Sequence, residues 1–222
     1  MLYYPKIPGS RAAPSGRCVA FEKYDGTNLH WDWDADFGWV SFGTRRDAFD
    51  WSDHGIAAFA EAHPDLADAT RIFEANWAHS LAATLAGLPA ERLGASVRCF
   101  TEFFGPSSFA GRHLRHEPKE LRLIDVESES AGMWFPDDFL RDFGHLAIAR
   151  VIASGKLTGQ FADEIRRGKF PLAEGVICKG VHRQRQADGR VMESLWMVKI
   201  KTDAYQARLR QAFADRWEEF WE

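Results

Sequence analysis

A lysine follows a short run of β-forming residues in the segment 21–28, which reads Phe-Glu-Lys-Tyr-Asp-Gly-Thr-Asn. A lysine at the end of a strand and close to a glycine can let a phosphate approach closely. Its amine can also act as a nucleophile when its surroundings lower the lysine pKa from the usual ~10.4. However, Asp25-Gly26 between two β-forming runs is also a common hairpin signal. Taken alone, this segment is compatible with a reactive Lys23 or with an ordinary hairpin.

Further charged side chains occur inside or at the ends of the other predicted strands, where a buried charge would be costly. They are Arg45, Glu102, Asp125, Glu174, Lys199 and Lys201. Because side chains alternate along a strand, Lys199 and Lys201 share one face and Val198 and Ile200 share the other. Two neighbouring ammonium groups repel each other unless a negative group lies opposite. A bound phosphate would supply that charge, and a solvated edge strand is the alternative.

This set of residues suits phosphoryl-type transfer, in which an enzyme mainly positions the reactants and stabilises charge. One lysine would attack phosphorus, and the other cations would offset the charge of the phosphates. The carboxylates would hold a divalent metal and position a sugar. The nearby cations would also favour the neutral form of Lys23, because like charges repel.

The elements that must position these residues are mostly strands, and the pattern predicts an α+β fold with an antiparallel sheet and flanking helices. Strands are predicted at 18–22, 28–34, 39–42, 97–104, 121–126, 175–179 and 195–201. Residues 55–88 are predicted to be helical, as are 160–167 and the second half of 137–154. From Thr202 to the end we expect an amphipathic helix with Tyr205, Leu209, Phe213, Trp217 and Trp221 on one stripe, which Ala212 and Phe220 widen.

Composition limits the class of protein. The 222 residues are 45% hydrophobic, which predicts one domain spanning 1–222 with a substantial core. No apolar run is long enough to span a bilayer, and the N-terminus lacks a secretory pattern. The three cysteines are isolated, so we expect buried thiols in a cytoplasmic protein. A net charge of −4 disfavours a general nucleic-acid coat, but local basic clusters allow a nucleic-acid substrate.

Five segments together resemble the covalent nucleotidyltransferases, which are the polynucleotide ligases and mRNA capping enzymes. They are 22–28 (Glu-Lys-Tyr-Asp-Gly-Thr-Asn), 43–45 (Gly-Thr-Arg), 100–105 (Phe-Thr-Glu-Phe-Phe-Gly), 174–179 (Glu-Gly-Val-Ile-Cys-Lys) and 198–201 (Val-Lys-Ile-Lys). Their order matches that family. Gly-Thr-Asn after the lysine turn is more typical of ATP-dependent RNA ligases, and the chain looks like the phage T4 RNA ligase 2 type. The resemblance implies an ATP-grasp-like adenylyltransferase domain.

The resemblance also implies a reaction. Lys23 would attack the α-phosphate of ATP to form a lysyl-AMP intermediate. AMP would pass to the 5′-phosphate of an RNA end, and a 3′-hydroxyl would then seal the strand, as in RNA repair. Glu174 would help to bind the catalytic Mg²⁺ (or Mn²⁺), and Lys199 and Lys201 would hold the phosphates, with Lys201 nearest the α-phosphate.

The remaining implied residues bind the nucleotide and the RNA. Glu22 would contact the adenine edge through its backbone, and Glu102 would bind the ribose hydroxyls. Arg45 and Asn28 would steer the phosphate of AMP and the 5′-phosphate of the RNA. Ile124 stands where family members usually stack an aromatic ring on adenine, so packing against the base would be aliphatic.

Two further points bear on the substrate. There is no room after residue 201 for the OB-fold of capping enzymes and DNA ligases, so RNA affinity is expected to be weak or to come from a protein partner. The RNA could be a nicked duplex. The alternatives are a minimal DNA ligase, a GTP-using relative related to guanylyltransferases, or a catalytically idle module that binds nucleic-acid ends. His113 and His116 are expected in a surface loop rather than in a zinc site.

Overall fold

The computed structural model describes residues 4–14 and 16–216, which form a mixed α/β structure with two antiparallel sheets. The chain divides into two compact units. The six-strand unit holds Tyr4, Asp25–Trp134 and Asp138–Ile148, and the four-strand unit holds the described parts of Pro5–Tyr24, Phe135–Asp137 and Ala149–Glu222. The prediction that 1–222 is a single domain remains a prediction.

The strands are numbered in chain order. They are β1 (Arg17–Lys23), β2 (Thr27–Asp34), β3 (Gly38–Gly43), β4 (Ala48–Asp50), β5 (Ser96–Phe104), β6 (Glu120–Ser128), β7 (Gly132–Met133), β8 (Val151–Lys156), β9 (Gly175–Arg185) and β10 (Val191–Lys201). The helices are α1 (Asp53–Ala62), α2 (Asp68–Asn76), α3 (Ala78–Ala86), α4 (Ala90–Leu93), α5 (Pro136–Phe143), α6 (Gly159–Arg166) and α7 (Asp203–Phe213). Short 3-10 turns occupy Ser10–Ala12 and Ala214–Arg216.

The six-strand unit has the strand order β4-β3-β2-β5-β6-β7. Alternate residues of β2 and β5 are apolar and buried, as in Leu29, Trp31 and Cys99. The Trp31 ring stacks on Phe73 of α2 with ring centroids 3.8 Å apart, so this face of the sheet carries the helices. The opposite face bears the polar residues of β2 and β5, because side chains alternate along a strand.

The four-strand unit has the order β10-β9-β1-β8. Small and aliphatic residues such as Ala20, Cys178 and Val198 pack together on one face of this sheet, against Ala162 and Ile165 of α6. Thr158 caps that helix by accepting a hydrogen bond from the Phe161 N–H. The opposite face of the sheet carries the lysines described below.

The most consequential difference from the sequence-based expectation concerns Asp25-Gly26. The residues do connect β1 to β2, but β1 pairs with β8 and β9 whereas β2 pairs with β3 and β5. The two strands therefore do not form a hairpin with each other. The hairpin signal was wrong because each strand found partners that are distant in the sequence.

Two other predictions need correction. In 137–154 the helix lies in the first half, as α5, where Phe139 and Phe143 are buried one turn apart, and the second half leads into the edge strand β8. In the C-terminal helix, Thr202 caps α7, and Tyr205 and Leu209 are buried as expected, but Ala212 is exposed. Trp217, Phe220 and Trp221 lie outside the described residues.

The prediction of buried thiols is confirmed, since Cys18, Cys99 and Cys178 are buried free thiols in β1, β5 and β9. In the part of the chain that the structure describes, no helix is both long enough and apolar enough to cross a membrane.

Candidate active site

Lys23 and Lys201 lie on either side of Gly175 in the four-strand sheet. Gly175 is the register partner of Lys23 in β1 and of Lys201 in β10, and residues directly opposite each other in antiparallel strands share a face. A Cβ atom at position 175 would come within 2.0 Å of the Ile200 carbonyl oxygen. Glycine is therefore required by the close strand packing at this position, and it leaves no side chain between the two lysines.

Glu174 contacts both of these lysines. Its Oε2 accepts a hydrogen bond from Lys23 Nζ at 2.7 Å, and its Oε1 lies 3.0 Å from Lys201 Nζ. The Glu174 side chain is 3% exposed and that of Lys201 is 8% exposed, whereas that of Lys23 is 25% exposed. Of the three groups, the Lys23 amine is thus the one that a solute can reach most easily.

Two more lysines share this face by the two-residue strand period. Lys199 precedes Lys201 by two residues, and its register partner is Ile177 in β9. Two residues further along β9 lies Lys179, which is buried with its ammonium 5.0 Å from the centroid of the Phe21 ring. We call the face that carries Lys23, Lys179, Lys199 and Lys201 the lysine face.

Lys179 was not among the predicted site residues. The period that placed Lys199 and Lys201 together also places Lys179 on the face of Gly175, so the signal was present in the sequence. The pairing that aligns β9 with β10, by contrast, could not be read from the sequence.

Glu22, one of the predicted nucleotide-binding residues in this unit, makes contacts within the protein through both its backbone and its side chain. Its backbone N–H donates to the Arg150 carbonyl at 2.8 Å, and its carboxylate accepts a hydrogen bond from Arg150 Nε at 2.9 Å. The backbone N–H therefore already has a partner within the protein. The contact of the Glu22 backbone with adenine remains a prediction.

In the six-strand unit, Asn28, Glu102 and Arg122 form a row across β2, β5 and β6. Direct register partners share a face, so Asn28 and Glu102 are neighbours on the sheet. The Asn28 Nδ2 atom is buried and, within the described residues, has no hydrogen-bond partner. A buried amide donor without an acceptor is costly, and an acceptor such as a phosphate or hydroxyl oxygen of a ligand would satisfy it.

Arg45 is held in the same unit by an aromatic residue that the sequence did not indicate. Its guanidinium lies 5.6 Å from the centroid of the Tyr4 ring, and the Tyr4 hydroxyl donates to Asp125 Oδ2 at 2.5 Å. Burial and the neighbouring Asp125 carboxylate raise the pKa of Tyr4 well above its usual value. Tyr4 therefore stays a neutral hydrogen-bond donor. Its hydrogen bond to Asp125 fixes the position of the Tyr4 ring.

Ile124 lies at an irregularity in the pairing of β5 with β6. Phe100 pairs with Asp125 and Thr101 pairs with Leu123, so Ile124 is the extra residue of a bulge. Its side chain is half-buried. A bulge changes the direction of a side chain relative to its neighbours in the strand. The contact of Ile124 with adenine remains a prediction.

His113 is buried, which contradicts the expectation of a surface loop for this residue. Its Nε2 lies 2.8 Å from Thr27 Oγ1 and its Nδ1 lies 2.9 Å from Ser108 Oγ. Asp25 Oδ1 also accepts a hydrogen bond from the Ala110 N–H at 2.8 Å. The loop that follows β5 is thus tied to the Asp25–Thr27 turn. Only the tertiary structure brings these segments together.

Solved structures with a similar fold were found. An archaeal ATP-dependent RNA ligase aligns with a TM-score of 0.52 and 18% identity, over 95% of this chain and 51% of the ligase. A variant of the Naegleria gruberi RNA ligase with ATP and Mn aligns with a TM-score of 0.55 and 11% identity, over 92% of this chain and 57% of the ligase. The chain has the fold of these RNA ligases.

The likeness to RNA ligases is one of fold alone at these identities. An apo variant of the Naegleria gruberi enzyme aligns similarly, with a TM-score of 0.52 and 12% identity over 95% of this chain and 59% of the ligase. The chain spans just over half the length of the RNA ligases it matches. No protein-family model matches the sequence, and no curated protein matches it.

A carboxylate beside the lysine face is the group that could bind a divalent metal. Among the described residues, no three His, Cys, Asp or Glu side chains cluster as a metal cage. Mg²⁺ usually keeps several waters and is bound by one or two carboxylates together with substrate phosphates. Glu174, as a carboxylate beside the lysine face, meets that requirement.

Proposed function

We propose that this chain is the adenylyltransferase domain of an ATP-dependent RNA ligase and that Lys23 is its nucleophile. The observation that supports this most strongly is the placement of Glu174 between Lys23 and Lys201 on the lysine face. A surface lysine would not need a buried carboxylate at 2.7 Å or a second lysine on the other side of a glycine. The shared fold of the archaeal and Naegleria gruberi RNA ligases supports the same reaction class.

In the first step, the Lys23 nitrogen forms a bond with the α-phosphorus of ATP. The bond from that phosphorus to the bridging oxygen breaks, and pyrophosphate leaves with the electron pair. The amine must lose its proton before attack, and Glu174 Oε2 is the acceptor already in hydrogen-bond contact with it. Lys199 and Lys201 would offset the charge on the phosphates, with Lys201 nearest the α-phosphate.

In the later steps, AMP moves from Lys23 to the 5′-phosphate of an RNA end, and a 3′-hydroxyl displaces AMP to seal the strand. Glu102 would bind the ribose hydroxyls of the nucleotide. The Asn28 Nδ2 donor, which has no hydrogen-bond partner among the described residues, and the guanidinium of Arg45 would bind phosphate oxygens. Ile124 would pack against adenine, and the Glu22 backbone would contact its edge.

Glu174 would also hold a divalent metal, either Mg²⁺ or Mn²⁺, which would neutralise phosphate charge. The Naegleria gruberi structures with ATP and Mn support this choice of ligands. For the substrate, Gly26-Thr27-Asn28 favours RNA over DNA. Binding of a nicked duplex, a protein partner that adds RNA affinity, and a cytoplasmic location are part of the same proposal.

The decisive experiment is to incubate the protein with α-labelled ATP or GTP and Mg²⁺ or Mn²⁺, and to measure acid-stable label on the protein. We expect labelling by ATP that Lys23→Ala and Lys23→Arg abolish. Lys169→Ala is the matched control, because Lys169 is an exposed lysine of the same unit, paired with Glu164. The mechanism would be refuted if neither ATP nor GTP labels the wild type, or if Lys23→Ala is labelled as well as the wild type.

Sealing assays then separate the substrates. Nicked duplexes in which the break lies in an RNA strand, a DNA strand or a hybrid would be compared with single strands. Sealing of DNA alone would instead identify a minimal DNA ligase. Labelling by GTP alone would indicate a guanylyltransferase-like relative, and end binding without label would indicate an idle module.

A further inference from the structure

The connection between β5 and β6 is longer than the pairing of these strands requires. Phe104 and Glu120, at the adjoining ends of β5 and β6, are register partners. A two-residue turn is enough to join strands that end side by side, yet the chain uses residues 105–119. Compact loops whose ends are adjacent, and connections longer than roughly 12 residues, are frequently functional. We call residues 105–119 the β5–β6 loop.

Hydrogen bonds between side chains hold the base of this loop. The Gly105 N–H donates to Ser108 Oγ at 2.8 Å, and the same oxygen lies 2.9 Å from His113 Nδ1. The other ring nitrogen of His113 lies 2.8 Å from Thr27 Oγ1. The loop is therefore ordered before any ligand arrives, which lowers the entropic cost of binding.

A tight turn sets the position of Arg112 within the loop. Phe109 and Arg112 exchange two backbone hydrogen bonds of 3.1 and 3.0 Å. Between them, Ala110 and Gly111 have φ angles of 50° and 75°, as in the primed turns of two-residue hairpins. A positive φ strains a non-glycine residue, and here the Ala110 N–H donates to Asp25 Oδ1 at 2.8 Å, which holds the turn in place. The backbone of Arg112 is thus placed beside the connection between β1 and β2.

The exposed part of the loop is basic and carries one large apolar side chain. Arg112 and Arg115 are exposed, and Leu114 between them is 59% exposed. Residues 106–116 contain no Asp or Glu. Arg115 Nε lies 3.1 Å from Asp65 Oδ1, but both side chains are more than half exposed, so this pair contributes little and its arginine can turn to another anion.

The single acid of the loop does not offset the charge of the two arginines. Glu117 Oε2 accepts a hydrogen bond from the Ser107 N–H at 2.8 Å, and Glu117 Oε1 pairs with Lys119. The Lys119 side chain is 3% exposed, so this ion pair is an internal one. Two exposed guanidinium groups remain on the outside of the loop, and guanidinium groups are well suited to phosphate oxygens.

We propose that the β5–β6 loop binds the phosphate backbone of the strand that carries the 5′-phosphate, with Arg112 and Arg115 on the phosphates that follow the terminal one. The inference rests on the proposed function, in which Asn28 binds the terminal 5′-phosphate. His113 contacts Thr27, the residue before Asn28, so the loop lies beside that phosphate site. Phosphate contacts carry no information about the base, so the loop positions the strand and does not read its sequence.

The test compares Arg112→Gln, Arg115→Gln and the double variant with the wild type and with Arg71→Gln. Arg71 is the matched control, because it is an exposed arginine of the same unit that pairs with Asp68 at 3.1 Å, the distance between Arg115 and Asp65. The first measurement is binding of a 5′-phosphorylated, nicked RNA duplex by fluorescence anisotropy over a range of salt concentrations. The second is labelling of the protein by ATP. Thermal melting checks that each variant is folded.

A modified RNA locates the contact along the strand. In this RNA the 5′-terminal phosphate is kept, and the phosphates that follow it are replaced by neutral methylphosphonate linkages. A second RNA carries the same linkages on the 3′-hydroxyl side of the nick. Comparing both with the unmodified RNA, in the wild type and in the double variant, gives a cycle that reports the coupling between the arginines and particular phosphates.

We expect each single variant to weaken RNA binding about fivefold, the upper end for an exposed ion pair. The slope of log affinity against log salt should become shallower by about 1.5 in the double variant, because each phosphate contact contributes about 0.7–0.9. Neutral linkages after the 5′-phosphate should weaken binding by the wild type but not further weaken binding by the double variant. Labelling by ATP should be unchanged, as should every property of Arg71→Gln. Arg115→Gln keeps the proposal testable if Arg112→Gln folds poorly.

Four results would overturn the inference. The wild type does not bind the RNA even at low salt, or the double variant binds it as well as the wild type. Arg71→Gln weakens binding as much as Arg115→Gln, which would indicate a general loss of positive charge. The coupling appears only with the linkages on the 3′-hydroxyl side, which would place the loop on the other strand end. If the wild type takes no label from ATP, the proposed function fails, and the RNA-binding measurements alone decide whether the loop binds this backbone.

Discussion

Glu174 Oε2 lies 2.7 Å from Lys23 Nζ, although 151 positions separate the two residues in the chain. Gly175 makes this contact possible, because its pairing with Lys23 brings the start of β9 to the end of β1. The other oxygen of the same carboxylate lies 3.0 Å from Lys201. The single buried carboxylate of Glu174 thus balances the charges of two lysines. Neutralising it should therefore affect both of them.

Glu174→Gln is expected to abolish labelling by ATP and to lower the free energy of unfolding by about 3 kcal/mol, since it leaves two lysines without their buried counter-charge. The stability loss should shrink when Lys201→Met is added, because the excess positive charge is then smaller. Urea unfolding of both single variants and the double variant measures this coupling. Glu164→Gln, which breaks the ion pair between Glu164 of α6 and the exposed Lys169, is the control and should have little effect. Additive losses would show that Glu174 and Lys201 are not coupled.

Gly175→Ala should destabilise the protein by about 2 kcal/mol, because its Cβ would lie 2.0 Å from the Ile200 carbonyl oxygen and force β9 and β10 apart. The labelling rate should fall as well, since the same shift separates Lys23 from Lys201. Gly159→Ala is the matched control, as a Cβ there has no neighbour within 4 Å. Chemical denaturation with a labelling assay on both variants checks this. Equal stability of the two alanine variants would contradict it.

Tyr4→Phe removes the hydroxyl that donates to the buried Asp125 carboxylate at 2.5 Å. We expect a loss of about 1–3 kcal/mol in unfolding free energy, because the carboxylate loses a donor. We also expect weaker ATP binding, because the ring against which the Arg45 guanidinium lies loses its hydrogen bond to Asp125. Tyr24→Phe is the comparison, since the Tyr24 hydroxyl accepts a long hydrogen bond of 3.4 Å from the Arg150 N–H rather than donating to a buried carboxylate at 2.5 Å. A Tyr4→Phe variant as stable as Tyr24→Phe would show that the anchor is unimportant.

The burial of His113 should make the stability of the protein depend on pH. Burial, and then the positive charge of Lys119, lower the pKa of His113 to about 4, compared with about 6.5 for an unfolded histidine. Between these values the unfolded chain binds more protons at this residue than the folded chain does. Stability should therefore be full above about pH 6.5 and fall as the pH decreases towards 4.

Urea unfolding of the wild type and of His113→Gln at several pH values tests this dependence. Glutamine can keep hydrogen bonds to neighbouring hydroxyls but does not titrate. The variant should therefore lose less stability than the wild type between pH 6.5 and pH 4, even if it is less stable overall. His116→Gln is the control, because His116 is exposed in the same loop. Parallel pH profiles for the wild type and His113→Gln would exclude His113 as the titrating group.

The sequence by itself determined the short-range features of this protein. The two-residue period of a strand placed Lys199 and Lys201 on one face, and Thr202 marked the start of α7. Both depend only on neighbours a few residues away, where side-chain alternation and capping operate. The five segments and their order likewise predicted Lys23, Glu102 and Glu174 as candidate site residues without any coordinates.

Only the tertiary structure decided which strands pair and which residues outside those segments join them. Local signals cannot choose between a hairpin at Asp25-Gly26 and two strands that enter different sheets, because both have the same turn residues. Likewise, the burial of His113 and the placement of the β5–β6 loop beside Asp25 depend on contacts between segments far apart in the chain. Such contacts are settled by the packing and hydrogen bonding of the whole chain, which the composition of a short window does not contain.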